Sequence, residues 1–309
     1  MNGVLVIDKP KGWTSHDVVA RVRRTLKVKK AGHGGTLDPL ATGVLPIYLN
    51  EATKLVSFNL DGIKEYVTTI RLGQETDSLD ADGKIIAESQ DFSFTAQEIE
   101  ETLKRFRGMI RQKPPLFSAI KKDGIPAYRK ARAGEMLALP ERETVILSLE
   151  LQNVSLPYAT LTVTCGRGTY IRSLVADIGQ ALGCGAHVTE LRRFRSGLFT
   201  IDQSLSMEEF ADLAKRGTIK ERVLLMKDCV DLIATVQVAS KTAEKIKQGR
   251  RIHIQDLSLE DWGRLKRGQR VGLCEAPQRL LAIAESPIDG EPGLSAEPQA
   301  LRILRVFHQ

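Results

Sequence analysis

AGHGGTLDPLATG, residues 31–43, decides how the rest of the chain can be read. Four glycines and a proline within thirteen residues are incompatible with a regular helix or strand. The stretch breaks any simple alternation of strand and helix, and it carries one carboxylate, Asp38, set before Pro39. Glycines gathered around a single charge mean backbone brought close to something. The phosphate-cradling templates are not met: Gly32-His33-Gly34 is not completed to G-x-G-x-x-G, and no G-K-[ST] is present. An aspartate before proline also forms side-chain-to-backbone turns. Pattern alone therefore leaves Asp38 between a turn former and a catalyst, and His33 between a hydrogen-bonded loop residue and a catalyst.

Outward from this stretch the elements are mixed. Residues 3–8 are β-rich and end in the turn Lys9-Pro10-Lys11-Gly12. Ser15 is placed to cap a helix with the apolar stripe Val18, Val19, Val22, Leu26 and with Arg21, Arg24 and Lys27 opposite. Strands are expected at 44–49 and 66–72, with a helix near 51–58 between them. Thr95 and Glu98 form a capping box that opens an amphipathic helix to about Phe106. Residues 107–142 read as a basic, exposed insertion. Strands follow at 144–154 and 161–165. Gly166-Arg167-Gly168-Thr169 then turns into a helix with Ile171, Leu174, Val175, Ile178 and Leu182 on one face. Without a regular βαβ alternation the expected class is α+β with a mixed or antiparallel sheet. Beyond Asp231 the texture changes to short strand-like runs at 271–274, 280–283 and 301–306, a small β-rich module. Residues 286–298 read as a mobile loop.

The chain has 45 Lys and Arg against 38 Asp and Glu, a net charge of +7. The basic residues cluster: eight lie within residues 1–30, eight within 107–132 against Asp123 alone, and a third group follows Lys241. Three separated patches fit a long polyanion better than a small anion, and phosphate backbones attract such a surface. Cys165, Cys184, Cys229 and Cys274 are scattered without a C-x-x-C pair, so no zinc or redox motif is indicated. The opening apolar run is too short for a signal peptide or membrane span, which makes the cytoplasm the expected compartment. The run Asp77-Ser78-Leu79-Asp80-Ala81-Asp82-Gly83 invites a calcium reading. Aligned on Gly83, however, it puts Ser78 at the first ligand position and Ser89 where a bidentate glutamate is needed. It reads as a solvated turn, and no metal is expected.

The blocks GVLVIDKPKGWTSHDVV, GHGGTLDPLATGVLP, KEYVTTIRLGQETDSLDADG, GTYIRSLVADIG and GCGAHVTELRRFRSGLF cover most of residues 3–200. In order and spacing they resemble the bacterial tRNA pseudouridine-55 synthase (TruB) family, and the C-terminal module looks like the RNA-binding PUA domain that follows in that family. A departure is Gly34, where many members have threonine; a looser loop is the expected consequence.

The resemblance implies an α+β pseudouridine-synthase fold over residues 1–232, with a mixed, largely antiparallel central sheet flanked by helices, and a small β-rich PUA-like domain over 235–309. It also implies conversion of a uridine in the T-arm stem-loop of tRNA to pseudouridine. It implies Asp38 as the catalytic aspartate, Tyr66 as the tyrosine stacked on the flipped uracil, and Arg172 as the aspartate's partner. Tyr170 and Leu191 would line the pocket, His33 would lie against the RNA, and Lys9 would support the site or a phosphate. On pattern alone Tyr66 is a half-packed strand residue, Arg172 an exposed helix arginine and Leu191 a core leucine. The isomerisation neither oxidises nor transfers a group, so no cofactor is expected; nor is an obligate protein partner, and a monomer is the default. Alternatives are an RNA-binding or RNA-folding protein with secondary catalysis, and a guide-RNA-dependent pseudouridine synthase.

Overall fold

Residues 3–9, GVLVIDK, form strand β1 (Gly3–Lys9), whose side chains point into two different cores. Leu5 and Ile7 face one, Val4 and Val6 the other. A continuous apolar run instead of an alternating one is what a strand covered on both faces requires. Strand β3 (Thr42–Leu49) pairs antiparallel with β1 and divides the same way, with Leu45, Ile47 and Leu49 against Val44 and Tyr48.

The computed structural model describes residues 1–89, 92–117, 121–122, 125–126, 139–232, 234–253, 256–257, 266–287 and 300–308. Its larger sheet runs β1-β3-β12-β4-β11-β10-β7, with β2 (Ala31–His33) added to β3 and β13 (Phe199–Thr200) to β12. The other members are β4 (Lys64–Leu72), β7 (Gly108–Gln112), β10 (Arg142–Ser155), β11 (Tyr158–Cys165) and β12 (Ala186–Ser196). Short hairpins β5 (Gln74–Thr76) with β6 (Ile85–Glu88), and β8 (Lys121–Lys122) with β9 (Ile125–Pro126), lie off it. Every ladder is antiparallel except β12 on β3. That contact is two residue pairs long, Arg192↔Thr42 and Arg193↔Gly43. The sheet is thus narrowly joined between β3 and β12, beside the glycine-rich stretch.

Helices cover one face. α1 (Ser15–Leu26), α3 (Ala96–Lys104), α4 (Ile171–Leu182) and α5 (Met207–Arg216) bury Val18, Val22, Ile99, Leu103, Leu174, Ile178 and Phe210 against the sheet. The apolar spacings and the Thr95–Glu98 capping box are as expected. The cap of α1 is not: Thr14 accepts from the Asp17 backbone N–H while Asp17 reaches back to Thr14. Ser15 is instead buried as the first helical residue and bonds Leu37. The expected helix near 51–58 is a 3-10 turn, Asn50–Leu55, followed by the short α2 (Val56–Asn59). The basic insertion begins later than expected, because β7 is an edge strand of the main sheet paired with β10. Most of the remaining insertion, 118–138, lies outside the described residues apart from β8 and β9.

Beyond residue 233 a second sheet runs β14 (Ala234–Gln237), β15 (Arg270–Ala276), β16 (Arg279–Glu285), β17 (Arg302–Val306), with α6 (Ser240–Lys247) beside it. Of the segment read as a mobile loop, 288–298 is outside the described residues. One face of this sheet packs on the back of the first: Cys274, Leu280, Ile283 and Phe307 join Val4, Val6, Val44 and Tyr48 in a single cluster. Polar ties add to it. The His308 N–H donates to Glu51 Oε2 at 2.8 Å, Lys54 Nζ donates to the Val306 carbonyl at 3.2 Å, and the Arg270 guanidinium lies over the Phe58 ring. Among the described residues no helix is long and apolar enough to cross a membrane.

Phe307 is fully buried in that shared cluster. Phe307→Ala should therefore cost about 3–5 kcal/mol of stability, read as a lowered midpoint in denaturant unfolding. A loss below about 1 kcal/mol, the size of an ordinary surface change, would show that the two sheets do not share a core.

Candidate active site

Only 34–41 of the glycine-rich stretch is irregular, since its two ends are drawn into β2 and β3. Irregular backbone leaves carbonyls without ladder partners, and buried ones must find donors elsewhere. Three buried side chains supply them. Lys9 Nζ donates to the carbonyls of Pro10 (3.0 Å), Trp13 (2.6 Å) and Pro39 (3.3 Å). Ser15 Oγ bonds both the N–H and the carbonyl of Leu37, at 2.8 and 3.0 Å. Arg193 donates to Val44 O at 2.8 Å, Gly35 O at 3.1 Å and Thr36 O at 3.5 Å. Gly35, at φ +93°, turns the loop in a conformation L side chains rarely adopt. Gly34 does not loosen it: a Cβ there would come within 2.9 Å of the Tyr48 ring, so the glycine lets the loop close on that ring.

Held this way, Asp38 meets Arg172, the second residue of α4, with Nε donating to Oδ2 at 2.9 Å. Arg172 is 5% exposed and Asp38 32%, so the carboxylate stands at the end of a buried cation and opens to solvent. The rest of the guanidinium is also engaged: Nη1 donates to Ser78 O and pairs with Asp80 Oδ2 at 3.4 Å, and Nη2 donates to Phe117 O. The start of α4 is set by Gln112 on β7, whose amide both donates to the Tyr170 carbonyl and accepts from its N–H.

Asp38 lies between two hollows. One, of about 330 Å³, is lined by Asp38, Lys64, Tyr66, Tyr170, Arg172, Leu191 and Arg193. The other, of about 600 Å³, shares the Asp38–Arg172 wall and adds His16, His33, Ser78, Asp80 and Asp82. The fold thus brings Asp38, Arg172, Tyr66, Tyr170 and Leu191 to one cavity, and His33 to its neighbour. Lys9 stands behind both. It is fully buried, and its ammonium is spent on chain carbonyls, which leaves it to support the loop and takes it away from any phosphate.

Burial governs the protonation states. It pushes the Tyr66 phenol up, the nearby Arg193 charge opposing, so Tyr66 stays neutral. It also raises Tyr170 and Asp80; Asp80 is pulled back by its bond from Ser78 and by Arg172. His33 is driven down by burial and by Arg193, and its buried Nδ1 has no hydrogen-bond partner. Burial brings Lys9 from 10.5 to about 8, with Asp38 opposing.

Pattern reading missed two buried charges here. The Asp77–Gly83 run is a turn with Asp77, Ala81 and Asp82 exposed, as expected, but Asp80 is buried. The Leu79 carbonyl and Ala81 N–H pair with Val188 of β12, and this docking turns Asp80 inward onto Arg172. Arg193 left no signal beyond a pair of adjacent arginines.

Residues 23–171 match the family model described as TruB family pseudouridylate synthase (N terminal domain), and residues 172–231 match the tRNA pseudouridylate synthase B C-terminal domain. The tRNA pseudouridine synthase B of Geobacter sulfurreducens is 39% identical over 309 residues, covering all of both chains. That of Syntrophus aciditrophicus is 42% identical over 316 residues, covering all of this chain and 99% of the relative. Among solved structures, a Cbf5-Nop10-Gar1 complex contains a chain that superposes with a TM-score of 0.74 at 29% identity, covering 99% of this chain and 85% of that one. A second neighbour, an H/ACA RNP bound to a substrate RNA containing 2′-deoxyuridine, gives 0.75 at 27% over the same shares. The matched family models and the full-length relatives make the chain a pseudouridine synthase, an isomerase. Within that class the chain belongs to the TruB family.

Two outcomes follow from the buried charges. Asp80→Asn keeps the shape but removes one of the two carboxylates on Arg172, and should slow isomerisation about 10- to 100-fold at saturating RNA. An unchanged single-turnover rate would remove Asp80 from the site. Lys9 has a folded pKa below its unfolded value, so between about pH 8 and 10.5 the folded state binds fewer protons there. That residue therefore makes stability increase with pH across the window. Denaturant unfolding at pH 7.5 and pH 10 should show a smaller rise, or a steeper fall, in Lys9→Met than in the wild type.

Proposed function

We propose that this chain converts a uridine in the T-arm stem-loop of tRNA into pseudouridine, with Asp38 as its nucleophile. The observation that carries the reading is the 2.9 Å bond from Arg172 Nε to Asp38 Oδ2 at the mouth of a cavity walled by Tyr66 and Leu191. A guanidinium at that distance fixes the direction of the carboxylate. The full-length likeness to proteins named tRNA pseudouridine synthase B supports tRNA as the substrate.

The chemistry is balanced without an added reactant. Asp38 acts on the nucleotide, the N1–C1′ bond breaks, the uracil turns within the pocket, and C5 joins C1′. The proton that C5 sheds matches the one that N1 gains. Tyr66, a neutral buried phenol, is suited to stack on the base and to hydrogen-bond it. Tyr170 and Leu191 confine the ring, while His33 meets the RNA beside it. A stacked uridine cannot reach Asp38, so the nucleotide must be drawn out of its loop at a cost of about a few kcal/mol. Cationic surface offsets this: Arg21, Arg24 and Lys27 on the exposed face of α1, and Lys241, Arg250 and Arg251 beyond residue 240. In this reading residues 1–232 are the catalytic domain and 235–309 a PUA-like RNA-binding domain of a monomeric cytoplasmic enzyme that needs neither a cofactor nor a protein partner.

The test is to map pseudouridine by chemical derivatisation in an unmodified tRNA transcript incubated with the purified protein. Wild type should modify one T-loop uridine unaided. Asp38→Asn should abolish the product while tRNA affinity stays within about threefold, because the carboxylate serves chemistry more than binding. Measurable turnover by Asp38→Asn defeats the assignment of the nucleophile, and an inactive wild type defeats the reaction.

A further inference from the structure

Arg193 has the largest side chain among the fully buried residues described. It sits at mid-strand in β12, opposite Tyr66 of β4 on one side and Gly43 of β3 on the other. Gly43 permits this closeness: at φ +103° it has no side chain, and a Cβ would lie 2.2 Å from the Arg193 carbonyl. The guanidinium donates to Gly35 and Thr36 before Asp38 and to Val44 after it, so one rigid fork grips both ends of the loop that carries the carboxylate. The same group reaches the Tyr66 phenol and lines the cavity.

Among the described residues no carboxylate pairs with Arg193. Its neighbour shows the ordinary alternative. Arg192 is partly exposed, forms a bidentate pair with Asp8 and lies over the Phe194 ring. A buried guanidinium without a counter-ion is costly, and an apolar residue would fill the same space at lower cost. The retained charge and fork therefore serve the groups they touch.

We infer that Arg193 is a positioning residue for the isomerisation, holding the Asp38 loop in register with Tyr66 across β12. The inference rests on the reaction proposed above, and wild-type turnover in the same assay separates failure of the one from failure of the other.

The test compares Arg193→Met and Arg193→Lys under single-turnover conditions at saturating tRNA transcript, well below each variant's melting temperature, with tRNA affinity measured alongside. Arg193→Met should lose about 100-fold in rate, the size expected when reacting groups are misplaced by about an ångström. Arg193→Lys restores the charge without the planar fork and should recover about tenfold of that loss. Affinity for tRNA should stay within about threefold in both. Combined with Tyr66→Phe, Arg193→Lys should cost less than the product of the two single effects, because both act on one arrangement. A Met variant within about threefold of wild-type rate would overturn the inference. So would an affinity loss as large as the rate loss, or strict additivity with Tyr66→Phe. If the Met variant does not fold, Arg193→Lys decides alone: a tenfold or greater loss of rate with affinity kept supports the role, and an unchanged rate removes it.

Discussion

A single guanidinium, that of Arg172, is the point on which this structure turns. Almost wholly buried, it must satisfy its donors within the protein, and it does so with two carboxylates and two carbonyls. Those partners come from the loop at 34–41, the turn at 77–83 and the segment after β7, three regions far apart in the chain. An ion pair taken out of water is a poor source of stability, since desolvation opposes the Coulombic gain. What it does supply is direction. Asp38 can point one way only, toward the cavity, as long as the other two segments keep Arg172 in place.

The loop that carries Asp38 raises a second demand. Glycine lets the chain turn sharply, but it leaves buried carbonyls with no ladder to join. Lys9, Ser15 and Arg193 meet that demand from three sides, and two of the three are cations. Hydrogen bonding of the backbone thus concentrates positive charge behind the carboxylate. The site's electrostatics are partly a by-product of how an irregular loop is kept folded.

Several elements could be read from the residues because their period is unbroken. The apolar stripe of α1, the alternation YVTTIRL in β4 and the Thr95–Glu98 box all appear in place. β12 could not be read so. Bulges after Val188 and after Arg193 shift its phase twice, so AHVTELRRFRS shows no clean alternation although it is an interior strand paired on both sides. The uninterrupted apolar runs of β1 and β3 announce that both faces are covered, yet nothing local says that the C-terminal sheet covers one of them. In the site, glycine content singles out Asp38, while the catalytic role proposed for it rests on resemblance to a family. Asp80 was hidden because a D-x-D-G turn looks solvated until β12 docks against it. Arg193 was hidden because buried, carboxylate-free arginines are rare enough that pattern argues against them.

The protonation shifts around Asp38 share one sign of origin. Lys9, Lys64 and His33 are each driven toward their neutral forms, by burial first and by the charge of Arg193 among the remaining causes. Cations that discourage one another's charge mark a site with more positive groups than it can neutralise internally. A neutral ligand would leave that surplus in place. A nucleotide brings a phosphate with it, and an anion seated at the rim would complement these cations. The charges that hold the loop therefore also face the nucleotide, and the two purposes cannot be assigned to separate groups.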